Sequence, residues 1–214
     1  MRLLSSRKTK SDIFGDDAKN IKLMTVFFGA NDASDAVLNA RQHVPVDRYK
    51  SNLKEIVATI QSECCKGVKV IIIAPPPVHH EGRLRYQKER FGEKATGKLE
   101  RTLSLSRMYA TAAEDVSKEL DLPCLNVWEQ MCAEGGDVWP SFLSDGLHLS
   151  KPGNAFVGSK LFDLISTTLP ELSVRPCPFT GHYGTSGSKS SIIQIAPWHD
   201  EIDHLHPDEA FGRK

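Results

Sequence analysis

The sequence has no long apolar segment: its longest apolar stretches, residues 23–30 and 68–74, fall far short of a membrane-spanning helix, which needs roughly 18 residues. It also has no excess of charge, since Lys+Arg and Asp+Glu both number 27. We therefore expect neither a nucleic acid nor an anionic membrane surface as a partner. Five cysteines without a CxxC pair or a regular spacing favour reduced thiols in a cytoplasmic protein over a disulfide scaffold.

What the sequence does contain is an alternation of two hydrophobic patterns in its middle part. Continuous apolar runs predict buried strands, and apolar stripes at helical spacing predict helices. The predicted strands are 23–28, 68–74 and 123–127, and the predicted helices are 45–67, 98–120 and 150–170. Strands that alternate with helices predict an α/β fold with a parallel sheet covered on both faces, whose ligands bind at the carboxyl ends of the strands.

Composition divides the 214 residues into three parts. Residues 1–21 form a basic leader that we expect to be disordered, the alternative being a mitochondrial presequence. Residues 22–172 form the folded domain, in which the charged stretch 78–98 is either a flap over the site or a solvated helical extension. Residues 173–214 are a linker rich in Gly, Ser and Pro, followed by a polar tail. The histidines of that tail match no defined metal spacing, so we predict no metal site, the weaker alternative being a metal-binding tail.

Two short motifs carry the candidate chemistry. Asp145 precedes His148 by three residues in a predicted loop before a helix, a spacing that lets a carboxylate hold an imidazole as in a nucleophilic triad. Asn31 follows the first strand, where its amide can donate to a developing oxyanion. Taken alone, each motif is typical of an ordinary turn. Because each lies after a strand and before a helix, we expect both at the same edge of the sheet.

These residues resemble the SGNH (GDSL-type) hydrolases, and within them the isoamyl acetate-hydrolysing esterases. Phe28-Gly29-Ala30-Asn31-Asp32 is similar to the third block of that family, and Asp145-Gly146-Leu147-His148 to the fifth. The resemblance spans about residues 22–170. It implies a doubly wound, flavodoxin-like sheet in three layers and hydrolysis of small acetate-type esters without a cofactor or metal. It further implies that His148 is the general base, that Asp145 orients it, and that Asn31 and Gly29 form the oxyanion and substrate site.

The sequence lacks one feature of this family, the Gly-Asp-Ser block that carries the nucleophile. The nearest segment, Gly15-Asp16-Asp17, has no serine and is interpreted as a loop. We therefore expect an N-terminally truncated domain whose activity is doubtful. Four other serines (Ser5, Ser6, Ser34 and Ser144) are better explained as surface or capping hydroxyls. Without the family's first strands, the strand at 23–28 is expected to be an exposed edge that favours self-association. The alternative function is a non-catalytic remnant that binds a partner through this edge.

Overall fold

The fold is built on a three-stranded parallel sheet, seen in a computed structural model that describes residues 16–172. Its strands are Leu23–Phe27 (β1), Lys69–Ala74 (β2) and Cys124–Asn126 (β3), in the order β1-β2-β3. In the register of the sheet, Leu23 lies opposite Lys69 and Ile73 lies opposite Leu125. The predicted α/β fold with a parallel sheet is confirmed.

Within residues 16–172, five α-helices surround the sheet. They are Val46–Glu63 (α1), His80–Phe91 (α2), Leu103–Glu119 (α3), Val127–Glu134 (α4) and Lys151–Thr168 (α5). Three of them match the predicted helices with shorter bounds. Helix α4 was not predicted, because the sequence pattern extended the third strand to Val127. In the structure Asn126 ends β3 and caps α4 by accepting a hydrogen bond from the Glu129 N–H, so strand and helix meet without a loop.

Helices cover both faces of the sheet, as the buried side chains of β2 show. Successive side chains of a strand point to opposite sides of its sheet. Val70 and Ile72 belong to the core cluster that includes residues of α1 and α3. Ile71 and Ile73 belong to a second cluster with residues of α4 and α5. All four β2 side chains are at most 3% exposed. The molecule therefore has the three layers that the sequence resemblance implied.

Two segments of the described chain differ from the simplest sequence interpretation. Asp16–Asn20, which overlaps the predicted Gly15-Asp16-Asp17 loop, is a short 3-10 helix, and Ile21 packs against the core. The charged stretch 78–98 contains α2, as the helical alternative predicted, but Gly82 and Gln87 of this helix are buried, so it is not a fully solvated extension. Two parts of the chain lie outside the described residues. They are residues 1–15, which are most of the predicted leader, and residues 173–214, which contain the predicted linker and the histidine tail.

Strand β1 forms one edge of the sheet that residues 16–172 build. Two large apolar side chains at its end are accessible, Phe27 at 36% and Phe28 at 54% exposure. These features agree with the expected edge, and self-association through it stays a prediction. No helix within residues 16–172 has both the length and the apolar character needed to cross a bilayer.

Candidate active site

Asp145 and His148 form a hydrogen-bonded pair in the loop between the 3-10 helix Gly136–Phe142 and α5. This loop therefore does not follow a strand directly, whereas the sequence pattern predicted that it would. The Nδ1 atom of His148 lies 2.9 Å from Oδ2 of Asp145. Because a carboxylate only accepts, this contact places the proton of a neutral imidazole on Nδ1 and leaves Nε2 with the lone pair. The Asp145 side chain is 11% exposed and that of His148 is 47% exposed. The pair thus has the orientation that a general base needs, with a buried acid behind an accessible imidazole.

Hydrogen bonds between neighbouring residues determine the conformation of this loop. Oδ1 of Asp145 accepts hydrogen bonds from the backbone N–H groups of Leu147 and His148, at 3.0 and 2.8 Å. The N–H of Ser144 donates to the His148 carbonyl at 2.8 Å and closes the turn. Ser150 then caps α5 by accepting from the Gly153 N–H. Local hydrogen bonds therefore place the imidazole just before the first turn of α5.

Helix α2 packs directly on this loop through a glycine. Gly146 has φ of +80°, and a Cβ there would lie 2.4 Å from the backbone N of Arg83 and 2.5 Å from the carbonyl oxygen of His79. The backbone N–H of His79 donates to the Gly146 carbonyl at 2.9 Å. The stretch proposed as a flap or a solvated extension is thus a helix whose first turn contacts the Asp145 loop.

The Asn31 loop follows β1 and is held by a buried tyrosine. The hydroxyl of Tyr49, on α1, donates to the Phe28 carbonyl at 3.0 Å. Gly29 has φ of +120°, and a Cβ there would lie 2.8 Å from that hydroxyl. Burial raises the pKa of Tyr49, so this phenol stays a donor at neutral pH. Gly29 is therefore required by the turn and by close packing, while its assignment to the oxyanion and substrate site stays a prediction.

Asn31 itself is exposed, and its carboxamide is held by Arg101. Nη2 of Arg101 donates to Oδ1 of Asn31 at 3.1 Å, and Nε donates to the Ala30 carbonyl at 3.2 Å. The Arg101 side chain is only 5% exposed. One buried guanidinium thus fixes both the backbone and the side chain of this loop.

Charged side chains connect the two loops. Oε1 of Glu100 accepts from Nη1 of Arg101 and from Nη2 of Arg83, each at 3.0 Å. Nη1 of Arg83 donates to Oδ2 of Asp145 at 3.0 Å, the same oxygen that contacts the imidazole. The side chains of Arg83 and Glu100 are 11% and 18% exposed. A continuous series of hydrogen bonds therefore runs from Asn31 to His148.

This arrangement shifts the acidity of the buried carboxylates. Burial opposes ionisation of Asp145, but hydrogen bonds from the His148 side chain and from two backbone N–H groups outweigh burial and hold its pKa below the usual range. Burial also opposes ionisation of Glu100, and its backbone and Arg83 hydrogen bonds lower its pKa on balance. Both carboxylates are thus ionised at neutral pH, as ion pairing with two arginines requires.

The sequence motifs identified three residues that the structure connects, Asn31, Asp145 and His148, whereas Arg83, Glu100 and Arg101 were missed. All three missed residues lie in or beside the stretch that the sequence shows only as highly charged. Charged side chains are rarely buried unless paired, so composition favours a solvated surface there. No local signal distinguishes the buried arginines from exposed neighbours such as Arg85.

The two candidate serines within the described residues make other contacts. The Ser34 hydroxyl donates to the Asn39 carbonyl at 3.3 Å, and that of Ser144 donates to the His148 carbonyl at 3.3 Å. Ser34 is fully buried, so its interpretation as a surface hydroxyl is wrong. Ser5 and Ser6 lie outside the described residues. In the part of the chain that is described, no group of three or more His, Cys, Asp or Glu side chains has a metal-binding arrangement. The four cysteines of that part are free thiols: Cys64, Cys65, Cys124 and Cys132.

Similarity to known proteins agrees with this architecture. A GDSL esterase/lipase of Arabidopsis thaliana is 36% identical over 193 residues, covering 89% of this chain and 71% of that protein. The isoamyl acetate-hydrolyzing esterase 1 homolog of Mus musculus is 35% identical, and the match covers 74% of this chain and 61% of the mouse protein. The isoamyl acetate-hydrolyzing esterase of Saccharomyces cerevisiae is 32% identical, covering 71% and 60%. The chain thus spans about three fifths of the length of the mouse and yeast relatives.

Solved structures share the fold. A lipase/acylhydrolase from Enterococcus faecalis superposes with a TM-score of 0.52 at 24% identity, covering 75% of this chain and 72% of that one. The sequence profile of the GDSL-like Lipase/Acylhydrolase family matches residues 6–156. The sequence motifs suggested a similarity that begins near residue 22, whereas this match begins upstream of that position. Since that match includes both candidate loops and most of the chain, this protein belongs to the GDSL-like lipase/acylhydrolase family.

Proposed function

We propose that this protein hydrolyses small carboxylic esters of the acetate type by a Ser-His-Asp mechanism. His148 is the general base, Asp145 orients it, and Asn31 donates to the oxyanion. The observation that carries this proposal is the contact between Nδ1 of His148 and the buried Asp145 carboxylate. The substrate class is suggested by the names of the mouse and yeast relatives, which are isoamyl acetate-hydrolyzing esterases. The sequence suggests a cytoplasmic location, and no cofactor or metal is required.

The proposed reaction has two halves. In the first, Nε2 of His148 takes the proton of a serine hydroxyl as its oxygen attacks the ester carbonyl, and then returns it to the departing alcohol. In the second, His148 deprotonates a water molecule that attacks the acyl-serine, releasing the carboxylic acid and regenerating the serine. Asn31 Nδ2–H donates to the carbonyl oxygen while that oxygen carries negative charge, which is typically worth about 10²–10³ in rate.

We assign the role of attacking nucleophile to none of the serines within residues 16–172. The sequence has no Gly-Asp-Ser motif. Ser34 and Ser144 donate their hydroxyl protons to backbone carbonyls rather than presenting them to the imidazole. We therefore propose that the 214 residues alone turn over esters slowly, since loss of the triad serine in a serine hydrolase costs about 10⁶ in turnover.

The test combines turnover with covalent labelling. p-Nitrophenyl acetate hydrolysis is measured for the 214-residue protein and for a form extended upstream by any in-frame Gly-Asp-Ser block. Both are compared with His148→Ala and with His80→Ala, a matched control at an exposed histidine of α2. Each protein is also treated with a serine-reactive phosphonate and analysed by mass spectrometry.

Turnover that His148→Ala abolishes and His80→Ala preserves, with one labelled upstream serine, supports the proposal. A single labelled serine within the 214 residues would support the esterase but refute the missing nucleophile. If the extended protein is folded and neither hydrolyses esters nor reacts with the phosphonate, the esterase proposal is wrong.

A second candidate function rests on the exposed end of β1. A non-catalytic remnant would bind a partner, or a second copy of itself, through this edge, because unpaired strand edges pair readily with other strands. Phe27 and Phe28 are exposed there at 36% and 54%. The supporting observation is thus an apolar surface next to an edge strand.

Sedimentation velocity across a range of concentrations tests this second function. Self-association that Phe28→Lys weakens, and that Val138→Lys leaves unchanged, would support it. Val138 is a suitable control because it is an apolar residue with 64% exposure outside β1. A monomer at all concentrations would exclude self-association through the edge and leave only a different partner.

A further inference from the structure

We infer that Arg101 is a positioning residue that sets the direction of the Asn31 carboxamide and, through Glu100 and Arg83, joins it to the Asp145–His148 pair. The inference rests on the proposed function, in which Asn31 donates to an oxyanion. Its physical basis is independent of that function, because it concerns which end of the carboxamide faces a buried cation.

The direction of the carboxamide follows from the chemistry of its partner. An asparagine side chain has an acceptor oxygen on one arm and two N–H donors on the other, whereas a guanidinium only donates. Nη2 of Arg101 lies 3.1 Å from the Asn31 side chain, so the oxygen must face it. The opposite orientation would bring two donors together. Arg101 therefore directs the Asn31 N–H groups away from itself, on a residue that is exposed to solvent.

Arg101 is itself fixed in place by several partners. Its Nε donates to the Ala30 carbonyl, and its Nη1 donates to Glu100 at 3.0 Å. The planar fork of an arginine makes these bonds at once, which the single ammonium of a lysine cannot do. The 4% exposure of the whole residue leaves it little freedom to move. The carboxamide thus contacts a rigid group rather than a mobile surface chain.

Glu100 joins this group to the other loop. Oε1 of Glu100 accepts from both Arg101 and Arg83, and its Oε2 accepts from Nε2 of Gln87, on α2, at 3.0 Å. Arg83 donates its remaining Nη1 to Asp145. A displacement of Glu100 would therefore affect both loops, since one carboxylate holds the arginine behind each of them.

A buried ion network can also serve stability alone, and the two roles predict different results. Buried ion pairs often contribute little net stability because desolvation offsets their attraction. If the network only stabilises the fold, replacing Arg101 lowers the unfolding temperature. In the molecules that remain folded, the Asn31 carboxamide is then as ordered as before. If Arg101 positions Asn31, the carboxamide becomes mobile in a folded protein.

The first measurement needs no turnover. In the full 214-residue chain labelled with ¹⁵N, the Asn31 side-chain signal is assigned by its loss in Asn31→Asp, and its order parameter is measured. We expect this order parameter to be clearly lower in Arg101→Lys than in the unaltered protein, falling into the flexible range below about 0.6. Arg85→Lys is the matched control, an exposed arginine of α2. If Arg101→Lys does not fold, Glu100→Gln provides the same test, with a smaller expected loss of order.

The second measurement is a double-mutant cycle on ester turnover in the catalytically active form. Arg101→Lys is expected to lower kcat about 10-fold or more with little change in KM, because the donor acts mainly on the transition state. In the Asn31→Ala background the same substitution should change kcat less than about 2-fold, since positioning and donor act as one unit.

Additive losses in the cycle, or an Asn31 side chain that is equally ordered with and without Arg101, would overturn the inference. If no form of the protein hydrolyses esters, the proposed function fails while the order parameter still decides whether Arg101 positions Asn31. The two failures are therefore separate.

Discussion

The two loops of the candidate site are held by different kinds of contact. In the Asp145–His148 loop the key hydrogen bond joins residues three positions apart, and the aspartate also binds the backbone of its own turn. In the Asn31 loop the carboxamide is held by Arg101, 70 positions away in sequence. The first loop is thus defined mainly by local chemistry and the second by the completed fold. Substitutions should reveal this difference. The Asp145–His148 loop should respond to changes within its own turn, and the Asn31 loop to changes at distant residues such as Arg101.

The largest effect should come from Asp145→Asn, which tests the local loop. The substitution removes the carboxylate that orients the imidazole and leaves Arg83 with Glu100 as its ion partner in place of both Glu100 and Asp145. We expect kcat for p-nitrophenyl acetate in the active form to fall about 10⁴-fold, because an asparagine favours the wrong imidazole tautomer. A loss below 10-fold in a folded protein would show that Asp145 does not orient the base.

The next largest effect should come from Asn31→Asp, which tests the long-range loop. An aspartate keeps an acceptor for Arg101 but has no N–H to donate, so the fold should be preserved while the oxyanion donor is lost. We expect kcat to fall about 10²–10³-fold with a melting temperature close to that of the parent. Unchanged turnover would show that Asn31 does not stabilise the oxyanion.

Gly146→Ala tests how tightly α2 contacts the local loop. A Cβ at Gly146 would lie 2.4 Å from the Arg83 backbone at φ of +80°. We expect a loss of about 2–4 kcal/mol in the free energy of unfolding, from strain and displacement together. Gly67→Ala is the matched control, because Gly67 also has φ of +80° but has nothing within 4 Å of its added Cβ. Denaturant unfolding should give a clearly smaller loss for the control, and equal losses would argue against the close contact.

Acidification should weaken the connection between the two loops. The pKa of Asp145 and that of Glu100 are both lowered in the folded protein. A lowered folded pKa contributes stability above the unfolded pKa of about 4, and that contribution is lost as the pH falls through the folded pKa. We therefore expect the denaturation midpoint to be steady near neutral pH and to fall below about pH 4. Asp145→Asn should have a shallower dependence in this range, and an identical dependence would contradict the assignment.

The smallest effect should come from Ser150→Ala at the end of the local loop. The Ser150 hydroxyl accepts from the Gly153 N–H at the start of α5 and donates to the Ser141 carbonyl at 2.6 Å. Loss of such a cap typically costs about 1 kcal/mol in the free energy of unfolding. Ser141→Ala, at an exposed serine whose hydroxyl donates to the Val138 carbonyl, is the control and should cost less. Chemical denaturation measures both, and equal costs would show that the cap contributes nothing special.

Much of the fold could be predicted because its signals are local. The β-branched run at 68–74 predicted the central strand, and the apolar stripe after Pro45 predicted α1. Helix α4 was missed because it begins at the residue where β3 ends, so no turn residue marks the boundary. The contact between Asp145 and His148 could be predicted from the sequence because their spacing alone allows it. Arg101 could not be assigned to the site, since a buried arginine and an exposed one look alike in sequence.

By itself the sequence determined the parallel α/β framework and the hydrogen-bonded Asp145–His148 pair, because periodic burial and a three-residue turn depend only on nearby residues. Only the tertiary structure decided which way the Asn31 carboxamide faces and which charges are buried between the loops. Those features depend on Arg83, Glu100 and Arg101, which meet only when α2 and the segment before α3 pack against the two loops. The physical reason is that the direction of a hydrogen bond is set by the partner, and here the partner comes from a distant part of the chain.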